Sequence, residues 1–262
     1  MTNRLLEVKG LSKSFGGLRA LAGLSFGVHK GRIKALIGPN GAGKTTLFNI
    51  ISGLERADSG EICFRGSDIT KTAPEKIAAT GISRTFQTTQ VFEHLNVVEN
   101  VMVGRYLKTN VPFARAGFWL PGVYREEHRN MVKAFEILEF LGLYEKANRK
   151  ISQVSFMERK LMELGRALAM EPKLLLLDEP FGGLNAKEGK ILSEKISLLK
   201  EQDISIAMID HHFGTISRVS DEIAVLYHGE IIALGSPEEI RKDQAVISAY
   251  FSNEKNSDRI TG

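Results

Sequence analysis

An α/β fold is predicted, with an antiparallel β opening, a largely parallel core sheet and an inserted α-helical segment. Three observations predict it. Short apolar runs recur between stretches of helical spacing, the pattern of parallel strands buried on both faces. One of those runs feeds a glycine-rich turn that opens into a helix. From about residue 91 the alternation gives way to longer helical stretches and resumes only after residue 170.

The elements follow in order. Residues 5–11 and 21–28 alternate apolar and polar side chains and read as two strands joined by a turn at Gly16-Gly17. Ile33-Lys34-Ala35-Leu36-Ile37 is a short apolar strand, and beyond the glycine turn Leu47, Ile50, Ile51 and Leu54 fall at helical spacing, with Gly53 as terminator. Residues 126–143 form a helix whose face carries Met131, Ala134, Phe135, Leu138, Leu141 and Gly142, while residues 109–124, with two prolines and two glycines, read as an irregular loop. Strands are expected again at 174–177, 204–209, 223–227 and 231–234, the last two joined by a His228-Gly229 turn. The chain beyond about Asn253 is polar. No internal repeat is visible.

Composition narrows the classes. With 262 residues, 43% hydrophobic and 25% charged, the chain has enough apolar material for a sizeable core, which excludes disorder and collagen-like repeats. Its 35 basic and 31 acidic residues leave a net charge of +4, scattered along the chain, so nucleic acid is not an expected partner. The single cysteine, Cys63, forms no internal disulfide, which fits a reducing compartment. No run approaches the roughly 20 apolar residues that span a bilayer, and Arg4, Glu7 and Lys9 interrupt the first apolar stretch, so neither integral membrane insertion nor secretion is expected.

Gly38-Pro39-Asn40-Gly41-Ala42-Gly43-Lys44-Thr45-Thr46 contains G-x-x-x-x-G-K-[ST] between a strand and a helix. The glycines let backbone N–H groups curl towards phosphate oxygens, and the helix N-terminus adds a favourable dipole. Lys44 would reach the β- and γ-phosphates, and the Thr45 hydroxyl would bind Mg²⁺. The apolar run Leu174-Leu175-Leu176-Leu177 delivers Asp178 and Glu179. Asp178 is expected to hold Mg²⁺ through water, and Glu179 to polarise the attacking water as a general base.

Together these residues resemble an ATP-binding-cassette (ABC) ATPase, and the likeness covers nearly the whole chain. The resemblance implies a P-loop NTPase core with an N-terminal antiparallel β subdomain and an inserted α-helical subdomain. It implies one nucleotide-binding domain over residues 1–252: an ATP-binding core at 1–90 and 171–252, and a helical subdomain at about 91–170. A polar tail, 253–262, follows. Phe15 falls where the family stacks an aromatic ring on adenine, and Gln87, in Arg84-Thr85-Phe86-Gln87-Thr88, matches the glutamine loop that contacts the metal. His211, in Ile209-Asp210-His211-His212, matches the switch histidine, with His212 as competitor; His29, His94, His128 and His228 are read as surface or structural residues.

The family's signature, Leu-Ser-Gly-Gly-Gln, is degenerate. Its place is taken by Val154-Ser155-Phe156-Met157-Glu158: Ser155 is kept as a nucleotide contact, a methionine replaces glycine, and a glutamate replaces glutamine. A side chain at 157 in the approach to a phosphate, and a negative charge at 158, are expected to weaken that half-site, unless both side chains turn away. Asn185 stands where the family's D-loop commonly has aspartate. Because the family sandwiches nucleotide between two cassettes, a weak signature favours a heterodimer with functionally unequal sites.

Arg84-Thr85-Phe86-Gln87, the helical insert, Gly183-Leu184-Asn185 and the ending Gly235-Ser236-Pro237-Glu238-Glu239-Ile240 are similar to one branch of the family. That branch is the ATPase of branched-chain amino acid importers, with relatives serving urea, amides and lipopolysaccharide export. The resemblance implies ATP and Mg²⁺ as cofactors, and a second ATPase subunit, identical or not, as partner. It also implies integral membrane permeases, a periplasmic or extracellular binding protein, and a peripheral position on the cytoplasmic face of the inner membrane. A regulatory subunit with little hydrolysis is the alternative raised by Met157 and Glu158; a soluble cassette acting on DNA or ribosomes does not fit one short cassette.

Overall fold

A computed structural model describes residues 4–85, 91–108, 121–211 and 213–251. The chain forms two compact units, one of residues 1–84 with 173–262 and one of residues 85–172.

The first unit holds two sheets. Strands β1 (Arg4–Phe15) and β2 (Leu18–His29) pair antiparallel across Gly16 and Gly17, both at positive φ, and run further than the sequence predicted at both ends. The added residues are largely exposed and held by backbone pairing, so apolar alternation does not mark them. Strands β4 (Ser59–Phe64) and β5 (Ser67–Asp68) complete a sheet of order β2-β1-β4-β5.

The second sheet has the order β10-β9-β3-β8-β7-β6. Its members are β3 (Ile33–Ile37), β6 (Ile82–Arg84), β7 (Leu174–Asp178), β8 (Ser205–Ile209), β9 (Glu222–Tyr227) and β10 (Glu230–Gly235). Neighbours are parallel except β9 and β10. Every residue of β3, β7 and β8 is buried, which is why these strands read as unbroken apolar runs. Leu36 and Asp178 both register with Ile209, so the carboxyl ends of these three strands lie side by side. Loops leaving that edge converge, the usual place for a ligand in an open α/β sheet.

Helix α1 (Lys44–Ile51) follows β3, and α2 (Pro74–Thr80) precedes β6. Helix α1 ends at Ile51, short of the expected Leu54, and the chain leaves through Gly53 at φ 76°. The second unit contains α3 (Val97–Met102), α4 (Pro121–Leu141) and α5 (Phe156–Ala169). The loop expected over residues 109–124 lies outside the described residues up to 120, and from 121 it is corrected: α4 begins at Pro121. A proline is favourable in the first helical turn, where its missing N–H costs nothing. Arg105, nearly buried, fastens this unit: its Nε donates to Asn130 Oδ1 at 3.0 Å, and its Nη1 donates to Ala169 O at 3.0 Å and Glu171 at 2.7 Å.

The first unit closes with α6 (Ala186–Glu201), α7 (Phe213–Val219), α8 (Pro237–Lys242) and α9 (Gln244–Phe251). Among the described residues no helix is long and apolar enough to cross a membrane.

Candidate active site

The glycine loop connects β3 to α1. Gly38 has φ 154°, and a Cβ there would lie 2.1 Å from Leu226 O; Gly43 has φ 106°, and a Cβ there would lie 2.4 Å from Ala20 O. Side chains are therefore excluded at both positions by the backbone of β9 and β2, which shape the loop from outside. Gly229 N donates to Ala42 O at 3.0 Å and braces it from the β9–β10 turn. Gly43 precedes helix α1 as its N-cap and provides no side-chain cap, and the first turn holds no acidic residue. Its leading N–H groups thus stand ready for an anion.

Lys44 is buried, and its Nζ donates to Gly38 O at 2.7 Å and Pro39 O at 2.9 Å. Burial pushes its pKa down, and the carboxylates of Glu179, Asp178 and Asp210 oppose that shift. Ala42 is also buried; Asn40, Gly41 and Thr45 are exposed, while Pro39 and Thr46 are half-buried.

Strand β7 carries Asp178 to the same edge, with only 3% of its surface exposed. Burial raises its pKa, and the Arg84 guanidinium at 2.8 Å acts against that rise. The next residue, Glu179, has φ 48°, an unfavourable left-handed backbone for a side chain with a Cβ. Its N–H donates to Ile209 O at 2.8 Å, locking the turn to the neighbouring strand.

His211 leaves the end of β8, and its Nδ1 lies 4.0 Å from Glu179 Oε1. Asp210, not singled out from sequence, has its Oδ1 3.9 Å from His211 Nδ1. It is fully buried; its Oδ2 accepts from Phe181 N at 3.2 Å and its Oδ1 from His211 N at 2.7 Å. Asp210 ties the turn after β7 to the histidine segment. Its place beside the histidine, at the end of the apolar run 204–209, was visible in sequence; its bond to Phe181 N was not.

Phe15 ends β1 with its ring 45% exposed, and Lys13 Nζ lies 4.9 Å from the ring centroid. Lys13 is held by Glu55 at 2.8 Å, and Asp58 accepts from Ser14 N at 2.7 Å, so one side of the ring is backed by a fixed cation. Gln87 and His212 lie outside the described residues. His29, His94, His128 and His228 are exposed.

In the second unit Ser155 caps α5: its Oγ accepts from Glu158 N, while Glu158 Oε2 accepts from Ser155 N at 2.8 Å. Both departures from the signature have local partners. Met157 is only 6% exposed and recurs at helical spacing with the buried Leu161, Leu164 and Leu168 of the same helix. Glu158 is paired with Lys146, so its charge is compensated. Asn185 is occupied locally: its Oδ1 accepts from Lys187 N at 3.0 Å and Glu188 N at 3.1 Å, capping α6. Asparagine and aspartate are comparable caps, so the change from aspartate alters charge without altering that role.

Comparison with known proteins agrees with this geometry. The family described as ABC transporter matches residues 21–182, and a family described as branched-chain amino acid ATP-binding cassette transporter matches residues 230–251. The high-affinity branched-chain amino acid transport ATP-binding protein BraF of Pseudomonas aeruginosa is 37% identical over 252 residues, 96% of this chain and 99% of its own length. A probable branched-chain amino acid transport ATP-binding protein, LivG of Archaeoglobus fulgidus, is 37% identical over 249 residues, 95% of each chain. A crystal structure of a nucleotide-free ATP-binding cassette from an ABC transporter superposes with a TM-score of 0.83 at 35% identity, covering 94% of this chain and 98% of that one. The ADP conformation of MJ1267, also an ABC transporter cassette, gives 0.84 at 34% identity, covering 95% and 98%. With the strand–glycine loop–helix, the buried Asp178 and the adjoining Glu179 and His211 assembled on one sheet edge, the chain belongs to the ABC transporter family of ATP-binding cassettes.

Proposed function

We propose that this protein binds and hydrolyses ATP to drive a membrane importer for branched-chain amino acids. The observation that carries the reading is the convergence, within one unit, of Lys44, Asp178, Glu179 and His211 at the carboxyl edge of the parallel sheet. The uncapped N–H groups of α1 and Lys44 would cradle the phosphates, and the exposed ring of Phe15 would stack on the adenine. Lys44 leaves the Gly38 and Pro39 carbonyls to do so.

The donor set fits Mg²⁺: the Thr45 hydroxyl, the Gln87 amide oxygen and, through water, the Asp178 carboxylate are all hard oxygen donors. Mg²⁺ bound through so few protein ligands keeps water and substrate phosphate oxygens in its remaining positions. Bound there, the metal would supply charge neutralisation on the phosphates. Glu179 would take a proton from the attacking water, and His211, held by Asp210, would donate to the γ-phosphate. Gln87 would link this site to the permease-facing helical subdomain, residues 85–172.

The partners proposed are a second cassette, two integral membrane permeases and a substrate-binding protein outside the membrane, with this chain peripheral on the cytoplasmic face. Ser155 and the first N–H groups of α5 would meet nucleotide held by the other cassette. With Met157 buried and Glu158 paired, the start of α5 accommodates a homodimer as well as a heterodimer, and the presence of Glu179 and His211 favours hydrolysis over a regulatory role. The amino-acid class rests on the relatives and on the 230–251 match. It is tested by deleting this reading frame in its host and measuring uptake of radiolabelled leucine, isoleucine and valine. Loss of uptake, restored by the wild-type chain and not by Glu179→Gln, supports it; unchanged uptake of all three contradicts it.

A further inference from the structure

Arg84 ends β6, and the function above leaves it without a task. Its side chain is only 6% exposed. Nη2 donates to Asp178 Oδ2 at 2.8 Å, and Nη1 donates to Asn49 Oδ1 at 2.8 Å and Ser52 Oγ at 3.0 Å. The guanidinium carbon also lies 5.8 Å from the centroid of the Phe48 ring.

These contacts reach two elements that must agree in position. Asn49 and Phe48 belong to α1 and Ser52 caps its end, and α1 begins with Lys44 and Thr45. Asp178 ends β7, the strand that carries another metal-directed oxygen. Thr45 and Asp178, proposed to share one Mg²⁺, therefore come from separate elements, with α1 and β7 far apart in sequence. Arg84 is bonded to both. A guanidinium is a rigid planar fork with donors at fixed angles, so it fixes the direction of a carboxylate as well as its distance. An ammonium at the same place would carry the charge without spanning all three acceptors.

We infer that Arg84 is a positioning residue of the metal–nucleotide site: it fastens the Asp178 carboxylate to the helix that bears Lys44 and Thr45, and so sets the geometry in which Mg²⁺ is bound. The inference rests on the ATP-binding function proposed above. Residues that orient metal ligands through hydrogen bonds commonly change metal affinity by about 10–100-fold when altered. Arg84 is placed to act in that way without touching metal or nucleotide itself.

The test compares the full chain with Arg84→Lys and Asn49→Ala, after thermal melting has shown which variants are folded. Mn²⁺ replaces Mg²⁺ as the probe, and its binding to the chain–ADP complex is titrated by electron paramagnetic resonance. ATP affinity in excess chelator is measured separately. Arg84→Lys is expected to weaken Mn²⁺ binding about tenfold while changing metal-free ATP affinity by less than about twofold. Asn49→Ala leaves the Asp178 ion pair in place and removes one anchor; it is expected to weaken Mn²⁺ binding about threefold, and it carries the test if Arg84→Lys does not fold. Unchanged Mn²⁺ affinity in the folded variants overturns the inference and leaves Arg84 as a structural tie. An equal loss of metal-free ATP affinity overturns it too, because the effect would then lie in the phosphate loop. A wild-type chain that binds no ATP in chelator overturns the functional reading itself.

Discussion

Replacing Met157 by the glycine that the family signature carries is a restoration in sequence and a deletion in structure. Met157 is 6% exposed, at the second residue of α5. Removing a buried methionine side chain costs about 2–5 kcal/mol. A glycine in a helix adds roughly 0.5–1 kcal/mol relative to alanine. Together these give about 2.5–6 kcal/mol for Met157→Gly, and in a chain of this size that lowers the melting temperature by roughly 5–24 °C. The backbone N–H groups at the start of α5 keep their places, capped by Ser155 and Glu158, so no phosphate contact is gained. The assay is differential scanning calorimetry beside steady-state ATP turnover at equal concentration. A melting point within about 2 °C of wild type, with turnover raised several-fold, would refute the reasoning, because Met157 would then be an obstruction and not core.

Other perturbations separate charge, strain and pH. Glu158→Gln keeps the reciprocal cap with Ser155 and loses only the pairing with Lys146; it should cost less than about 1 kcal/mol and change turnover by less than about twofold, so a large rise would show an uncompensated charge. Glu179→Gly should abolish hydrolysis yet raise the melting temperature by about 2–4 °C, since glycine relieves roughly 1 kcal/mol at φ 48°; a lowered melting point contradicts the strain. Asp221 is partly buried, which raises its pKa, but Ile33 N–H at 2.8 Å with Lys200 and Arg32 more than offsets this, so the folded pKa lies below the ordinary value of 3.8. Its stabilisation is therefore present above that value and lost as pH falls through the folded pKa. Asp221→Asn should cost about 2 kcal/mol at neutral pH by denaturant titration, and the gap from wild type should close with acidification below pH 3.8; a gap constant with pH refutes the ionic role.

Strands β3, β7 and β8 were legible because both faces are covered, leaving apolar runs with no alternation to misread. The glycine loop was legible because its spacing follows from backbone geometry. Strands β4, β5 and β6 were not read from sequence: β4 buries only Ile62 and Phe64, β6 has three residues, and β5 has two, held by pairing to β4. Arg84 and Asp210 gained their roles from partners far away in sequence or on adjoining strands, which local patterns do not encode. The burial of Met157 was encoded, since Met157, Leu161, Leu164 and Leu168 recur at helical spacing on one face. Comparison with the family signature obscured that periodicity.

ATP hydrolysis by the purified chain, measured with Mg²⁺ beside Lys44→Ala and Glu179→Gln, tests the central claim most directly. Lys44→Ala should lose nucleotide affinity, while Glu179→Gln should still bind ATP and turn over slower by at least about a hundredfold. Wild-type turnover by Glu179→Gln, or undiminished ATP binding by Lys44→Ala, would contradict the assignment of the sheet edge as the site of hydrolysis.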